Sequence, residues 1–265
     1  SGVKNAFLAV TQAAWAFDTL DIGRGMADVL REENRIYVTK TGAKHLGTRH
    51  YEGGKFDTFM DKTLFKWGLM RPSEGWARNF SVLTGKIDQK KHIELLRSSE
   101  KGSKKYKKAE NRLKEFYELN EADVRLLEKY GYGHGKSLDG HTFASKFEQT
   151  KMERKMETVH QRMNHMAHIK TQGASLSLFM PKAASGEWIK PLTLYKRMAY
   201  AATINTFKNA KEAVKSGNYM KLVAGTMATY FTGASLLGLY NMILGTPIPK
   251  ENSGWWESFK TTMWR

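Results

Sequence analysis

The 265 residues suffice for one large or two ordinary domains, and 43 Lys and Arg against 26 Asp and Glu give a formal net charge of +17. The absence of cysteine excludes disulfides, thiolate metal sites and a cysteine nucleophile. The positive charge favours polyanionic partners, either nucleic acid or an anionic lipid surface.

Apolar residues recur at helical spacing, and the chain contains only five prolines. We therefore expect an all-α fold: an irregular multi-helix assembly in which an amphipathic basic helix precedes a long uncharged helix near the C-terminus. The chain opens Ser1-Gly2-Val3 without an initiator Met or a signal-peptide pattern. This start predicts a processed product or a fragment of a longer polypeptide.

Residues 1–85 form the first predicted region, which is helical. A helix is expected from Asn5 to Leu20, interrupted at Asp21 to Gly25 and resumed from Met26 to Arg35. Scattered glycines predict a loop from Tyr37 to Phe56. A further helix follows, and after a break at Arg71-Pro72-Ser73-Glu74 another is expected to end at Gly85.

Residues 86–170 form a basic helical region, in which Gly102-Ser103 separates two helices. Five lysines around this break surround Tyr106 and predict a surface that binds nucleic acid through its phosphates. They are Lys101, Lys104, Lys105, Lys107 and Lys108. A solvated helix face, packed against an acidic partner subunit, remains an equal alternative.

The stretch GYGHGKS, Gly131 to Ser137, ends like a phosphate-binding loop. That motif requires a glycine where Tyr130 stands and a hydrophobic strand upstream, but the upstream residues have a helical pattern. We expect a helix that begins after Asn120 and ends at Gly131, followed by a turn. This stretch therefore does not predict a nucleotide site.

A long helix from Phe143 to Ile169 carries three histidines and four methionines. They are His160, His165, His168, Met152, Met156, Met163 and Met166. No carboxylate completes a ligand set at helical spacing, so we expect packing or solvated histidines and no metal site. The methionines are expected in the core or at an interface.

Acidic and basic residues are plentiful, but they form no spaced catalytic constellation. There is no Gly-x-Ser-x-Gly motif. We therefore expect neither enzymatic activity nor a cofactor in this segment.

Residues 171–190 are expected to be a linker, and residues 191–265 to contain an amphipathic helix, an apolar helix and an aromatic tail. The amphipathic helix begins near Pro191 and ends before Gly217. Its basic residues predict contact with an anionic membrane surface. The residues assigned to this contact are Lys208, Lys211, Lys215 and Lys221.

From Leu222 to Ile248 the chain has no charged residue, a run of 27 that exceeds the roughly 20 residues a helix needs to span a bilayer. Its small residues and hydroxyls favour a helix packed against other helices. We expect the apolar side chains to contact lipid, with a buried helix of a soluble bundle as the alternative. The candidates for this contact are Leu222, Met227, Tyr230, Phe231, Leu236, Leu237, Leu239, Tyr240, Ile243 and Leu244.

Three stretches give the chain a resemblance to a protein family. They are FDTLDIGRGMADVL from Phe17, LFKWGLMRPSEGWARNFSVLTGK from Leu64, and the span from Trp188 to Pro249, where a Lys-rich helix precedes a small-residue apolar one. In composition and order they resemble bacteriophage internal virion (DNA-ejection) proteins and large polyvalent protein-associated helical domains.

The resemblance implies a structural protein packaged in the capsid and ejected at infection, which helps to form an oligomeric conduit for the genome across the host envelope. It implies a location in the capsid interior or tail, and in the host envelope after ejection. The implied partners are portal, core or tail proteins, further copies of the chain, DNA and host membrane lipids. The alternative is a soluble nucleic-acid-binding module of a larger phage protein, such as a virion-associated polymerase.

Overall fold

The computed structural model describes residues 2–40, 70–132, 143–172, 203–204, 206–215 and 217–244. Within these ranges the fold is all-α, without a strand. Its helices are α1 (Gly2–Ala16), α2 (Thr19–Val29), α3 (Glu32–Lys40), α4 (Met70–Ser98), α5 (Lys104–Asn111), α6 (Glu121–Tyr130), α7 (Lys146–Gln172), α8 (206–215) and α9 (Tyr219–Leu244).

Helix α4 is the centre of the assembly. It packs against α1, α2, α3, α5, α6 and α7. The five consecutive residues from Ser81 to Gly85 are all buried, so this part of the helix has neighbours on every side. A Cβ at Gly85 would collide with the Cβ of Ala167, and glycine therefore lets α4 and α7 approach closely.

Local signals in the sequence set several helix ends. Ser103 caps α5 by accepting a hydrogen bond from the Tyr106 N–H at 3.2 Å, and Asn120 caps α6 by accepting one from the Asp123 N–H at 2.8 Å. Gly131 ends α6 with a φ of 78°, in the region that favours glycine. The predicted ends at Gly102-Ser103 and Gly131 are therefore confirmed.

Helix α5 widens into a single π-helical turn, Arg112–Phe116. Three of its side chains, those of Arg112, Leu113 and Phe116, are buried, and Tyr117 directly after it is buried as well. The wider turn thus directs one charged and two aromatic side chains into the core, a placement that the sequence pattern does not predict.

Helix α9 folds back onto the first helix of the chain. Gly217, with a φ of 66°, ends α8: the Gly217 N–H donates to the Val214 carbonyl and the Asn218 N–H to the Ala213 carbonyl. Helix α9 then packs along α1. Within the described part of the chain, no helix is both long and apolar enough to cross a membrane.

The N-terminal helices differ from their predicted limits. The expected helix from Asn5 ends at Ala16 rather than Leu20, and the residues expected to interrupt it, Asp21 to Gly25, lie inside α2. The expected helix end at Gly85 is also wrong, because that glycine serves helix packing within α4. Most of the expected loop after Tyr37 lies outside the described residues.

The predicted boundary between residues 85 and 86 falls inside α4. Buried residues from both sides of it, including Phe17, Phe80, Leu96 and Met163, belong to one hydrophobic cluster. The predicted linker at residues 171–190 and the aromatic tail lie outside the described residues, apart from the end of α7.

Candidate functional site

Four exposed lysines share one side of α5. Lys104, Lys105, Lys107 and Lys108 are exposed, whereas Tyr106 is half-buried and Ala109 is fully buried. Each lysine has another three or four positions away, so the four side chains leave the helix on neighbouring directions. We call these four residues the α5 lysine face.

The α5 lysine face is held by the core beneath it. Ala109 belongs to the hydrophobic cluster and Tyr106 packs against that cluster. Gly102, with a φ of 86°, turns the chain ahead of the Ser103 cap. A short helix of only eight residues is thereby fixed in place.

The charges of the α5 lysine face are not neutralised within the described residues. No carboxylate there pairs with any of the four lysines, although neighbouring lysines are paired: Lys101 lies 3.3 Å from Glu128, and Lys114 lies 2.7 Å from Glu110. The first turn of α5 contains no acidic residue, so the lysines stand at the positive end of the helix dipole. An anion bound at this face would reduce the repulsion among the lysines and their unfavourable interaction with the positive end of the helix dipole.

A buried charge network lies beneath α5 and links distant parts of the chain. The Arg112 guanidinium donates from Nε to Asp88 Oδ2 at 3.1 Å, from Nη1 to Glu212 Oε1 at 2.9 Å, and from Nη2 to the Ala16 carbonyl at 2.6 Å. Its Cζ also lies 3.7 Å from the centre of the Phe116 ring. One side chain therefore connects α4, α8 and the end of α1.

Asp88 is the anion at the centre of this network and is 2% exposed. Tyr117 donates its hydroxyl to Asp88 Oδ2 at 2.8 Å, and His92 Nδ1 lies 3.3 Å from Oδ1. Burial by itself raises the pKa of this carboxyl, but the Arg112 guanidinium, the His92 ring and the Tyr117 hydroxyl together hold the pKa below its usual range. Sequence spacing gave no sign of this network, since its members lie far apart in the chain.

The prediction that Lys221 contacts a membrane surface is wrong. This lysine was expected at an anionic surface, but it is 7% exposed and its Nζ lies 4.0 Å from Glu212 Oε1. Burial, together with the nearby Arg112 charge, lowers the pKa of Lys221 to about 8. The other three lysines assigned to that surface, Lys208, Lys211 and Lys215, are exposed on α8.

Hydroxyl and indole groups join α9 to α1. The Trp15 Nε1–H donates to Thr229 Oγ1 at 3.0 Å, and the hydroxyls of Thr11 and Thr232 lie 2.7 Å apart. Gly225 faces the ring of Trp15, and a Cβ there would lie 2.7 Å from its Cε2 and Cε3 atoms. The predicted packing of this helix through small residues and hydroxyls is what holds it.

The predicted lipid-contacting residues of α9 fall into two groups. Met227, Tyr230 and Phe231 are exposed, whereas Leu222 is half-buried. The remaining side chains lie outside the described residues. They are Leu236, Leu237, Leu239, Tyr240, Ile243 and Leu244.

The histidines of α7 lie mostly inside the core. His160 and His168 are buried, and burial lowers the pKa of His168 to about 3, with help from the nearby Arg78 charge. Met156, Met163 and Met166 are buried beside them, as predicted. In the described ranges, no group of three or more His, Asp or Glu could hold a metal ion.

Of the phosphate-loop candidate, only Gly131 and Tyr132 are among the described residues. Gly131 is the C-cap of α6, and Tyr132 behind it donates to or accepts from the Tyr37 hydroxyl at 2.9 Å. Residues 133–137 lie outside the described residues. The part that is described therefore belongs to a helix end and to the core.

Comparison of the chain with protein-family models, with curated proteins and with solved structures finds no match.

Proposed function

We propose that this chain is a structural bacteriophage virion protein that contacts DNA through the α5 lysine face. In this proposal it is packaged with the genome, ejected at infection, and helps to form an oligomeric conduit for DNA across the host envelope. The phage setting rests on the resemblance of three sequence stretches. The DNA contact rests on the geometry of α5.

One observation carries the DNA contact: four exposed, unpaired lysines stand together at the start of one short helix. A duplex presents about one phosphate charge per 1.7 Å of its axis, so several phosphates lie within reach of such a face. Phosphate contacts of this kind do not depend on base sequence, which suits a protein that meets a whole genome. The same face also fits the alternative of a soluble nucleic-acid-binding module, in which lipid contact has no part.

The test is DNA binding by a variant in which Lys104, Lys105, Lys107 and Lys108 are replaced by Gln. Fluorescence anisotropy with a labelled duplex, repeated at several salt concentrations, gives the slope of log K against log salt. Four lost phosphate contacts reduce that slope by about three to four. We expect the affinity at low salt to fall steeply with it.

The matched control removes the same charge from another exposed surface. It replaces Lys146, Lys151, Arg154 and Lys155 of α7 by Gln, and all four are exposed. We expect this variant to keep most of the salt slope. Equal losses in both variants would mean that diffuse net charge, and not the α5 lysine face, attracts the DNA.

A further inference from the structure

Helix α9 is amphipathic, but it buries its polar side and exposes its apolar side. The residues it buries against the body are polar or small: Lys221, Gly225, Thr229 and Thr232. The residues on its opposite side are apolar and exposed. They are Met220 at 76%, Val223 at 57%, Met227 at 52% and Phe231 at 60%.

This arrangement is the reverse of what water favours. A surface helix in water normally turns its apolar stripe to the core and its charges outward. Here the only charged side chain of α9, Lys221, points inward to Glu212. The inward side is satisfied by hydroxyl and indole hydrogen bonds to α1, so rotating the helix would break these bonds. The outward side is therefore suited to contact with apolar surroundings outside the protein's own core.

The exposed apolar side of α9 is continuous over about three turns of the helix. Positions 220, 223, 227 and 231 follow helical spacing, and their Cα atoms extend over about 16 Å of the helix axis. Tyr219 and Tyr230 stand beside them at 67% and 39% exposure, and rings of this kind favour a boundary between an apolar phase and water. We call Met220, Val223, Met227 and Phe231 the outer face of α9.

The charges next to this surface favour a lipid membrane over a second copy of the chain. Helix α8, joined to α9 through Gly217 and Asn218, exposes Lys208, Lys211 and Lys215 together with Phe207 and Val214. Cations beside apolar side chains complement an anionic lipid surface. A second copy docked through the same face would place a second set of these exposed lysines near the first, and their repulsion opposes that particular contact.

We propose that the outer face of α9, with the exposed lysines of α8, docks on an anionic lipid surface. The helix lies in the plane of that surface, because its other side is already occupied by α1. The outer face enters the boundary between headgroups and acyl chains, and the lysines bind lipid phosphates. This inference rests on the proposed role at the host envelope and names the residues that meet the lipid.

The test is flotation of the full chain with vesicles of phosphatidylglycerol and phosphatidylcholine, and with vesicles of phosphatidylcholine alone. The test variant is Met227→Gln with Phe231→Gln. Its control is Leu20→Gln with Leu30→Gln, because both leucines are exposed apolar residues at 76% each, one on α2 and the other directly after its end. Helical circular dichroism and urea unfolding midpoints establish that both variants are folded.

We expect wild type and the control to float with the anionic vesicles and to bind phosphatidylcholine much more weakly. The partition coefficient of the test variant falls at least about tenfold, since two half-exposed apolar side chains no longer enter the lipid. Replacing Lys211 and Lys215 by Gln weakens binding to the anionic vesicles more than replacing Lys151 and Lys155 does.

Three outcomes would overturn the inference. The first is that wild type does not float, and the second is that the test variant floats as well as wild type does. The third is that lipid-free wild type sediments as a dimer and the test variant as a monomer, since the face would then serve a second copy. DNA affinity is measured in parallel: unchanged DNA binding by the test variant separates failure at this surface from failure of the α5 lysine face.

Discussion

The contact between Gly225 and Trp15 leads to a prediction about how α9 is held. A Cβ at position 225 would lie 2.7 Å from Cε2 and Cε3 of the Trp15 ring, whereas carbon atoms in contact prefer about 3.5–4.0 Å. In a Gly225→Ala variant, α9 and α1 must therefore separate by about 1 Å. The overpacking costs about 1–3 kcal/mol. Weakening of the nearby Trp15–Thr229 hydrogen bond, 3.0 Å long, adds about 1 kcal/mol.

Gly238 supplies the control on the same helix, since a Cβ there meets no atom within 4 Å. Alanine improves helix propensity at both positions by about 1 kcal/mol, so this gain cancels between the two variants. We expect urea unfolding, followed by far-ultraviolet circular dichroism, to find Gly225→Ala less stable than Gly238→Ala by about 2–4 kcal/mol. A difference below about 0.5 kcal/mol would show that the close approach of the two helices has no energetic weight.

Two further predictions concern buried ionisable side chains. Arg112→Met leaves the Asp88 carboxylate buried without its cation and is expected to destabilise the chain by about 3–5 kcal/mol, whereas Asp88→Leu combined with Arg112→Met recovers much of this loss; a double variant no more stable than the single one would contradict this reasoning. Because the pKa of His168 is about 3 in the folded chain and about 6.5 when unfolded, the unfolded chain binds more protons between these pH values. The His168 contribution to stability is thus complete above about pH 6.5 and is lost as the pH falls towards about 3, by up to about 1.4 kcal/mol per pH unit. We expect urea midpoints at neutral and acidic pH to show a smaller acid loss in His168→Phe than in wild type, and an unchanged pH dependence would refute the assignment.

The α5 lysine face shows what a local pattern can predict. Lysines at short spacing, a serine cap and a glycine before it all act within a few residues of one another. The sequence therefore predicts both the helix and its exposed basic side. The same holds for the end of α6 at Gly131, where a positive φ is needed in the last turn.

Glycines limited the prediction of other elements. Gly85 resembles a helix end in the sequence, but it lies in the middle of α4 and allows close approach to Ala167. Gly25, in α2, likewise faces Thr84 of α4. A glycine that serves packing cannot be told from one that ends a helix until the neighbouring helix is known.

By itself, the sequence determined the all-α class, the caps, the basic side of α5 and the helical character of α9, because these depend on contacts between residues near in the chain. Only the tertiary structure decided that Arg112 binds Asp88 and Glu212, up to 100 positions away, and that Lys221 is buried beside them. It also decided which side of α9 faces outward. A helix with a single charged residue has no strong periodic preference of its own, so its orientation follows from the hydrogen bonds offered by α1.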